Sequence, residues 1–177
     1  MFTKNWYKLL GAYTVGISTG EVHLCMDGSS TRTFSNDSSG TQFGISSNNY
    51  RIPSIHHLRN SYSGGVLIGT GTTPPTVDDY YLSGDMITDF ASTTNKVTHS
   101  LDAEGPSVTA EYTITNTGSK AFTIGEVALM AHCSTDSSTG KKFCALFERT
   151  VLDSPITIEP GGVGQLTYTL RYIYPKW

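Results

Sequence analysis

The last third of the chain alternates apolar and polar residues with a period of two, and this pattern limits the fold more than any other feature. One segment carries apolar side chains at every second position, at Val108, Ala110, Tyr112 and Ile114. A second segment repeats the pattern at Leu166, Tyr168, Leu170 and Tyr172. A period of two puts one row of side chains on a buried face and the other on a solvated face, as in antiparallel sheets. The sequence therefore predicts a mainly β fold with antiparallel sheets.

Strand-like segments and turn signals recur along most of the chain. Strands are predicted over residues 13–18, 21–26, 32–34, 41–45, 65–69, 96–101, 107–116, 121–131, 143–152, 156–158 and 164–174. Turns rich in Gly, Asn and Pro are predicted at residues 19–20, 27–28, 116–118, 134–140, 153–155 and 160–162. About ten strands are enough for two packed sheets, so the sequence predicts an antiparallel β-sandwich.

The segment over residues 121–131 changes its apolar phase part-way along. Phe122 and Ile124 have one parity, whereas Val127 and Leu129 have the other. An extra residue restores the phase of a strand, and glycine often marks such a β-bulge. We therefore expect a bulge at residues 125–126 that turns all four apolar side chains to one face.

Two segments fall outside the sandwich pattern of a single domain over residues 1–177. A short N-terminal helix is predicted over residues 1–12, with Thr3 as its N-cap, Gly11 at its C-terminal end and one apolar face. That face holds Phe2, Trp6, Leu9, Leu10 and Tyr13. Residues 46–89 are dense in Pro, Gly and Asn and predict a long loop-rich insert, with one strand at residues 65–69 and a helical turn at residues 76–82.

Composition and charge exclude several classes of function. Charged residues make up 15% of the chain and the formal net charge is −3, without a long basic run, so no nucleic-acid binding by phosphate neutralisation is expected. No apolar run reaches the roughly 18 residues of a membrane-spanning helix, and the first residues lack the apolar region of a signal peptide. We expect no membrane association, and synthesis in the cytoplasm.

The glycine-rich stretch and the aspartates superficially resemble binding motifs. Residues 69–75 lack the lysine and the following helix of a phosphate loop, which predicts an ordinary loop. Four acids cluster nearby, at Asp78, Asp79, Asp85 and Asp89. Their spacing matches no calcium loop, so we expect solvated or capping acids, with Arg51 and Arg59 as further candidate partners of the last two.

Histidine and cysteine spacing does not predict a metal centre. His56 and His57 are adjacent and would point to opposite faces of a strand. His132, Cys133 and Cys144 supply at most three soft ligands, which is short of a structural zinc site. No metal and no cofactor are therefore expected. Cys133 and Cys144 flank a predicted hairpin loop and could form a disulfide if they lie opposite each other, which depends on geometry that the sequence does not give. Cytoplasmic synthesis favours free thiols.

No residue pattern in the sequence is typical of a catalytic site. There is no nucleophile elbow and no Cys/His pair within a motif. Glu126, Glu148 and Glu159 come closest to paired carboxylates, but on alternating strands they are expected to be exposed, with Glu148 and Arg149 as cross-strand partners. We therefore expect a protein that is not an enzyme, without catalytic residues.

Aromatic and large apolar residues near the chain ends and in the insert are the candidate interface residues. They are Phe2, Trp6, Leu9, Leu10, Tyr80, Tyr81, Tyr172, Tyr174 and Trp177. Aromatic side chains near a chain end often anchor in a pocket of a partner. Packing on the chain's own core is the alternative for each of them, and the sequence leaves both readings open.

Three stretches of the chain resemble small structural proteins of tailed-bacteriophage virions. They are FTKNWYKLL, VLIGTGTTPPTVDDYYL, and the block from EYTITNTGSKAFTIGEVALM to ALFERTVLDSPITIEPGGVGQLTYTLRY. Together they cover about two thirds of the chain, and the N-T-G and P-G-G turns are part of the likeness. The resemblance implies an immunoglobulin-like or jelly-roll-like β-sandwich and no catalytic residues. Part of the insert, residues 46–62, is not matched.

The resemblance also implies a location and a set of partners. We expect a non-enzymatic virion protein, made in the host cytoplasm, that reinforces or decorates a capsid, collar or tail surface in many copies. Its partners would be major capsid, collar or tail subunits, and a homo-oligomer or symmetric array is expected. The alternative is a receptor- or carbohydrate-binding module at a tail or fibre tip.

Overall fold

The fold is known from a computed structural model of the chain. It describes residues 1–4, 6–7, 19–23, 31–35, 65–103, 105–134 and 142–171, with side chains except at 19–23, 31–35, 131–134 and 142–144. The strands are β1 (Thr19–His23), β2 (Thr31–Ser35), β3 (Gly65–Gly69), β4 (Phe90–Asp102), β5 (Gly105–Asn116), β6 (Phe122–Ser134), β7 (Lys142–Ile158) and β8 (Val163–Arg171). The prediction of a mainly β, antiparallel chain is confirmed for these residues.

The strands form three sheets, and the chain divides into two compact units. The sheets have the orders β1–β2, β3–β6–β7 and β4–β5–β8. Unit 1 comprises Met1–Thr88 and Thr123–Ile156, and unit 2 comprises Asp89–Phe122 and Thr157–Trp177. Because each unit is built from two separate stretches of chain, neither corresponds to one continuous part of the sequence.

Unit 1 is organised around a strand that is buried along its whole length. The five residues of β3 are all buried, and β3 pairs with β6 antiparallel from Gly65 opposite Met130 to Gly69 opposite Glu126. A strand buried on both faces needs apolar side chains at every position, which explains the run Val66, Leu67 and Ile68. The core cluster of this unit consists of Leu67, Leu82, Ala128, Met130 and Leu146.

Strand β6 is buried on both faces where it pairs with β3. From Glu126 to Met130 the register with β3 is regular, and side chains of both parities are buried. Val127 is 2% exposed, and Ala128 on the opposite face is 0% exposed. Apolar residues of both parities from Val127 onwards therefore reflect a strand with two covered faces. The register with β3 begins at Glu126, so the bulge at residues 125–126 stays a prediction.

Unit 2 contains the alternating strands that dominate the sequence pattern. Strand β5 lies between β4 and β8 and alternates buried with half-buried positions. Ala110, Tyr112 and Ile114 are each 1% exposed, which confirms three members of the predicted inward row, and the fourth, Val108, is half-buried. Burial raises the pKa of the Tyr112 phenol to about 12. Strand β8 follows the same alternation, with Leu166 buried and its sequence neighbours Gln165 and Thr167 exposed.

The sheet β4–β5–β8 has one apolar and one hydroxyl-rich face. Cross-strand pairing places Phe90, Val97, Leu101, Val108, Ala110, Tyr112, Ile114, Leu166, Tyr168 and Leu170 on the apolar face. The other side, here called the hydroxyl face, carries Thr93, Thr98, Ser100, Ser107, Thr109, Thr113, Thr115, Thr167 and Thr169. The hydroxyls of Thr109 and Thr169 lie 2.9 Å apart, a cross-strand hydrogen bond of the kind that stabilises sheets.

Two predicted turns of unit 2 hold each other. The Asn116 side chain is 1% exposed, accepts from the Gly118 N–H at 2.8 Å and donates to the Ile158 carbonyl at 2.9 Å. Its backbone N–H donates to the Gly162 carbonyl, and its carbonyl accepts from Gly161, each at 3.0 Å. Gly161 has a φ of 71°, a left-handed conformation that glycine adopts without strain. The N-T-G and P-G-G turns are thus confirmed and lie in direct contact.

Several predicted boundaries are wrong. The expected turn at residues 153–155 lies inside β7, because the fixed φ of Pro155 suits an extended chain when its missing N–H is not needed for pairing. The turn expected at Thr19 and Gly20 is the start of β1. Strand β4 begins six residues earlier than predicted, at Phe90 rather than at residue 96, and carries a bulge between Thr94 and Lys96. Predicted strands 13–18 and 41–45 lie outside the described residues.

The helix predicted over residues 1–12 is not shown. Phe2 forms an isolated antiparallel bridge with Glu148, and the Thr3 N–H donates to the Phe147 carbonyl at 2.9 Å, so the first residues are extended beside β7. One helical-turn hydrogen bond follows, from the Tyr7 N–H to the Thr3 carbonyl at 3.4 Å. Residues 8–12 lie outside the described residues. The Thr3 hydroxyl donates to the Leu146 carbonyl at 2.6 Å, and this bond ties the segment to β7.

The core cluster of unit 1 predicts the effect of a truncated leucine. Leu146 is 0% exposed, so Leu146→Ala leaves a cavity and should lower the free energy of unfolding by about 3–5 kcal/mol. Val163→Ala is the matched control, because Val163 is 64% exposed and its truncation should cost less than about 0.5 kcal/mol. Urea unfolding followed by fluorescence measures both. Equal losses in the two variants would contradict the assigned core.

Candidate functional site

The most unusual group in the described part of the chain is a buried guanidinium. The Arg149 side chain on β7 is 2% exposed. Its Nε donates to Asp79 Oδ2 at 2.7 Å and its Nη1 donates to Glu126 Oε2 at 2.6 Å. Its Nη2 donates to the carbonyls of Thr73 and Pro74, at 3.0 and 3.1 Å. The rigid fork of an arginine is thus matched by four acceptors, which is what a buried cation requires.

Glu126 on β6 is the anion that faces Arg149. Its side chain is 0% exposed, and each of its oxygens accepts more than one hydrogen bond. Oε1 accepts from the N–H groups of Gly71 and Gly84, at 3.1 and 2.8 Å. Oε2 accepts from Arg149 at 2.6 Å. It also accepts from the N–H and from the hydroxyl of Ser83, both at 3.1 Å. The carboxylate therefore caps backbone donors that would otherwise be buried without a partner.

Asp79 completes the cluster from the loop side. Its oxygens accept from the Thr76 N–H at 2.8 Å and from the Thr76 hydroxyl at 2.9 Å, which closes a turn over Thr76–Asp79. The Asp79 N–H donates back to the Thr76 carbonyl at 3.3 Å. A single turn therefore replaces the helical turn predicted at residues 76–82. We call Arg149, Glu126, Asp79 and their hydrogen bonds the Arg149 network.

The Arg149 network holds the loop of residues 70–84 against β6 and β7. Close approach is possible because Gly84 has no side chain: a Cβ there would lie 2.4 Å from the Gly71 nitrogen. That nitrogen is one of the donors to Glu126, so a larger residue at position 84 would push it off the carboxylate. The glycine-rich sequence is a loop, as predicted, and its backbone donors bind a carboxylate of the chain itself.

Opposing influences set the pKa values in the network. Burial alone would raise the pKa of Glu126, but hydrogen bonds from Ser83, Gly84 and Arg149 outweigh it, so this pKa is lowered. Burial also works against the charge of Asp79, and the hydrogen bonds from Thr76 and Arg149 bring its pKa below the usual value. Burial disfavours the charged guanidinium, yet the two carboxylates raise the pKa of Arg149. All three groups are therefore ionised at neutral pH.

An aromatic stack covers the neighbouring part of β7. The rings of Phe2 and Trp6 stack with centroids 5.3 Å apart, and Trp6 meets Phe147 edge-on at 4.9 Å. The Arg149 N–H donates to the Met1 carbonyl at 3.1 Å. Two of the predicted interface residues, Phe2 and Trp6, thus pack on the chain's own β7.

The remaining predicted interface residues have mixed positions. Tyr80 is 40% exposed, whereas Tyr81 is half-buried, packs against the core cluster and lies 3.7 Å from the Met86 sulfur through its hydroxyl. Leu9, Leu10, Tyr172, Tyr174 and Trp177 lie outside the described residues. Sequence reasoning did not single out Tyr7 and Val77, which are 58% and 41% exposed.

The aspartates of the predicted acidic cluster have separate roles. Asp79 binds Arg149, and Asp78 forms an ion pair with Lys4. The Asp85 N–H donates to the Thr70 hydroxyl at 3.0 Å, and the Asp89 carbonyl accepts from the Thr117 N–H at 3.0 Å. Within the described ranges, no three His, Cys, Asp or Glu residues come together as metal ligands. The side chains of Cys133 and Cys144, and residues 51, 56, 57 and 59, lie outside these ranges.

Two predictions about charged residues are wrong. Glu126 was expected to be exposed, but it forms a buried pair with Arg149. Glu148 is half-buried and forms the bridge with Phe2, so it is not the cross-strand partner of Arg149. Glu126 has the parity of the buried residues Ala128 and Met130, and this was the available signal for its position.

The Arg149 network is suited to holding the structure together and not to proton transfer. Both carboxylates accept hydrogen bonds from donors of the chain, and their lowered pKa values make them poor general acids and bases near neutral pH. No helix among the described residues has the length and hydropathy needed to cross a membrane. No family model, curated protein or solved structure matches the chain.

Removing the guanidinium should be costly. Arg149→Met leaves the Glu126 charge buried without its cation, and should lower the free energy of unfolding by about 3–5 kcal/mol. In Arg149→Met/Glu126→Gln the loss should be smaller than the sum of the two single losses, because a neutral amide does not need the cation. The matched control is Arg171→Met, which breaks an exposed pair with Asp102 and should cost at most about 1 kcal/mol. Chemical denaturation of the four variants measures this, and strict additivity would refute the coupling.

Acid should weaken the Arg149 network. The folded chain lowers the pKa of Glu126 and Asp79 from their usual 4.5 and 3.8, so their stabilisation is complete above those values and is lost as the pH falls below them. We expect the melting temperature to change little between about pH 7 and pH 5 and to fall below about pH 4. The Glu126→Gln variant should be less stable at neutral pH and should lose less on acidification. The same acid loss in both proteins would contradict the assignment.

Proposed function

We propose that this chain is a non-enzymatic structural protein of a tailed-bacteriophage virion, which reinforces or decorates a capsid, collar or tail surface in many copies. The likeness of three sequence stretches to such proteins supports the proposal, and these stretches include the loop of residues 70–82 and the two glycine turns. The immunoglobulin-like or jelly-roll-like sandwich that the likeness implies stays a prediction beyond the antiparallel sheets described above.

The observation that carries the proposal is that the Arg149 network fixes a surface loop in place. Three ionised side chains are used to fix a loop of about 15 residues on two strands, and their contacts leave no acid or base poised for a reaction. A loop fixed in this way keeps its shape before any partner binds. Preorganised surfaces lose less conformational entropy on association, which suits a protein whose work is contact with neighbouring subunits.

The surface that the loop presents is partly apolar. Val77 and Tyr80 are 41% and 40% exposed, and Tyr7 in the N-terminal segment is 58% exposed. The two segments adjoin, because the Lys4 N–H donates to the Val77 carbonyl at 2.7 Å. In the proposal this surface, together with the predicted interface residues that lie outside the described ranges, contacts major capsid, collar or tail subunits. Association then stabilises the particle by mass action rather than by chemistry.

Electron cryomicroscopy of intact particles from the virus that encodes the chain tests the proposal directly. We expect density for the chain in many symmetry-related copies on the shell, the collar or the tail. The contact variant Tyr80→Ala should lower its copy number per particle at least about tenfold. Val163→Ala is the matched control, since Val163 is 64% exposed but lies in unit 2, on β8.

Two outcomes would count against the proposal. Absence of the chain from purified particles would refute a structural role in the virion, and cleavage of glycan or peptidoglycan by the purified protein would refute the non-enzymatic assignment. The alternative function has a distinct signature. A few copies at a tail or fibre tip, with Tyr7 and Tyr80 facing solvent, would instead favour receptor or carbohydrate binding.

A further inference from the structure

Strand β4 has an outer edge to which no other strand of the described chain is paired. It is the first strand in the order β4–β5–β8 and is 13 residues long. Its residues 93–102 are all exposed. An edge strand presents a row of outward N–H and C=O groups with which a further strand can pair. The question is which strand would fit this edge.

One end of the β4 edge is protected and the rest is regular. The register shift between Thr94 and Lys96 leaves Asn95 as an extra residue, and such a bulge ends regular pairing. From Lys96 to Asp102, by contrast, each residue has one partner on β5, from Glu111 to Gly105. The regular part of the edge therefore spans these seven positions, which is a usual length for a paired strand.

The stretch from Lys96 to Asp102 is complementary to itself. When two copies run antiparallel with His99 opposite His99, Lys96 of each copy faces Asp102 of the other. Val97 then faces Leu101, and Thr98 faces Ser100. Each of these cross-strand pairs is of a favourable kind: opposite charges, two apolar side chains, and two hydroxyls. Two-fold symmetry makes every pair occur twice, as in an isologous interface.

The two faces of the sheet are preserved in this register. Val97 and Leu101 lie on the apolar face and are 38% and 80% exposed, so each copy covers apolar surface of the other. Lys96, Thr98, Ser100 and Asp102 all lie on the opposite, hydroxyl face. A shift of the symmetry centre by three positions would put Lys96 opposite Lys96 or Asp102 opposite Asp102, and like charges directly opposite each other are unfavourable.

Asp102 can serve both chains at once. Within its own chain it accepts a hydrogen bond from Arg171 Nη1 at 2.9 Å. An ionised carboxylate has two oxygens with several acceptor positions, so Lys96 of a second copy can bind beside Arg171. The intrachain pair also holds the Asp102 side chain on the hydroxyl face, where Lys96 of the second copy would lie.

We propose that this chain forms a two-fold symmetric dimer by antiparallel pairing of β4 with β4 of a second copy, with His99 at the symmetry centre. The dimer joins two three-stranded sheets into one sheet of six strands. This inference uses only unit 2 and does not rest on the proposed function. It goes beyond the general expectation of a homo-oligomer by naming the surface, the partner and the register.

Sedimentation equilibrium of the full-length chain tests the interface. We expect a monomer–dimer equilibrium in the wild type, and a dissociation constant raised at least about tenfold by Leu101→Lys, which puts an ammonium group opposite Val97. Val163→Lys is the matched control, because Val163 is an apolar residue on the other edge strand, β8, and is 64% exposed. A monomer at all concentrations up to about 100 μM, or equal dimerisation of wild type and Leu101→Lys, would overturn the proposal.

Disulfide formation tests the register independently. A residue at the symmetry centre lies opposite itself, so His99→Cys should form an intermolecular disulfide under mild oxidation. Thr93→Cys is the control on the same strand, since the two copies of residue 93 would be about 40 Å apart in this register. The wild type measures the background from its own three cysteines. A dimer in which His99→Cys is not cross-linked above the Thr93→Cys level would refute the register. Neither result bears on the location of the chain in a virion, so the two proposals fail separately.

Discussion

The structure of unit 1 depends on one requirement: a buried guanidinium must have an acceptor for its donors. Arg149 meets it with two carboxylates and two carbonyls, and three of these four acceptor residues lie in the loop that follows β3. Glu126 adds the reciprocal demand, since a buried carboxylate needs donors, and it takes them from the same loop. Neither side chain can be buried unless the loop is in place, and the loop has no strand of its own to hold it. The ion pair and the loop therefore form together.

Unit 2 is stabilised in a different way. Its sheet has an inward row of apolar side chains and an outward row of hydroxyls, so its stability follows from the ordinary division between core and solvent. The buried amide of Asn116 is satisfied by the turns that it joins. The two units thus differ in the kind of interaction on which they depend. Unit 1 depends on buried charged groups, and unit 2 depends on the alternation of apolar and polar side chains along its strands.

This difference explains which parts of the structure could be predicted from the sequence. The alternation in β5 and β8 and the two glycine turns are local signals, and the structure confirms them. The positions of Glu126 and Arg149 could not be predicted in the same way, because a charged residue on a strand is usually exposed. Their hydrogen-bond partners are up to 76 residues away along the chain, and the sequence next to Glu126 and Arg149 contains no signal for these partners. Pro155 was misread for the opposite reason: its local turn signal was strong, but the chain around it stays extended.

The attachment of the loop of residues 70–84 affects how readily proteases can cleave the protein. Many of its residues are exposed and it has no regular secondary structure, which is the usual description of a site where proteases cut. A protease, however, must pull several residues into its cleft, and this loop cannot leave its place without taking from the buried Arg149 and Glu126 all of their hydrogen-bond partners except each other. Cleavage therefore has to wait for an opening of unit 1 that is much rarer than the fluctuation of an ordinary loop. A surface of this kind can persist in a protease-rich environment without a covering partner.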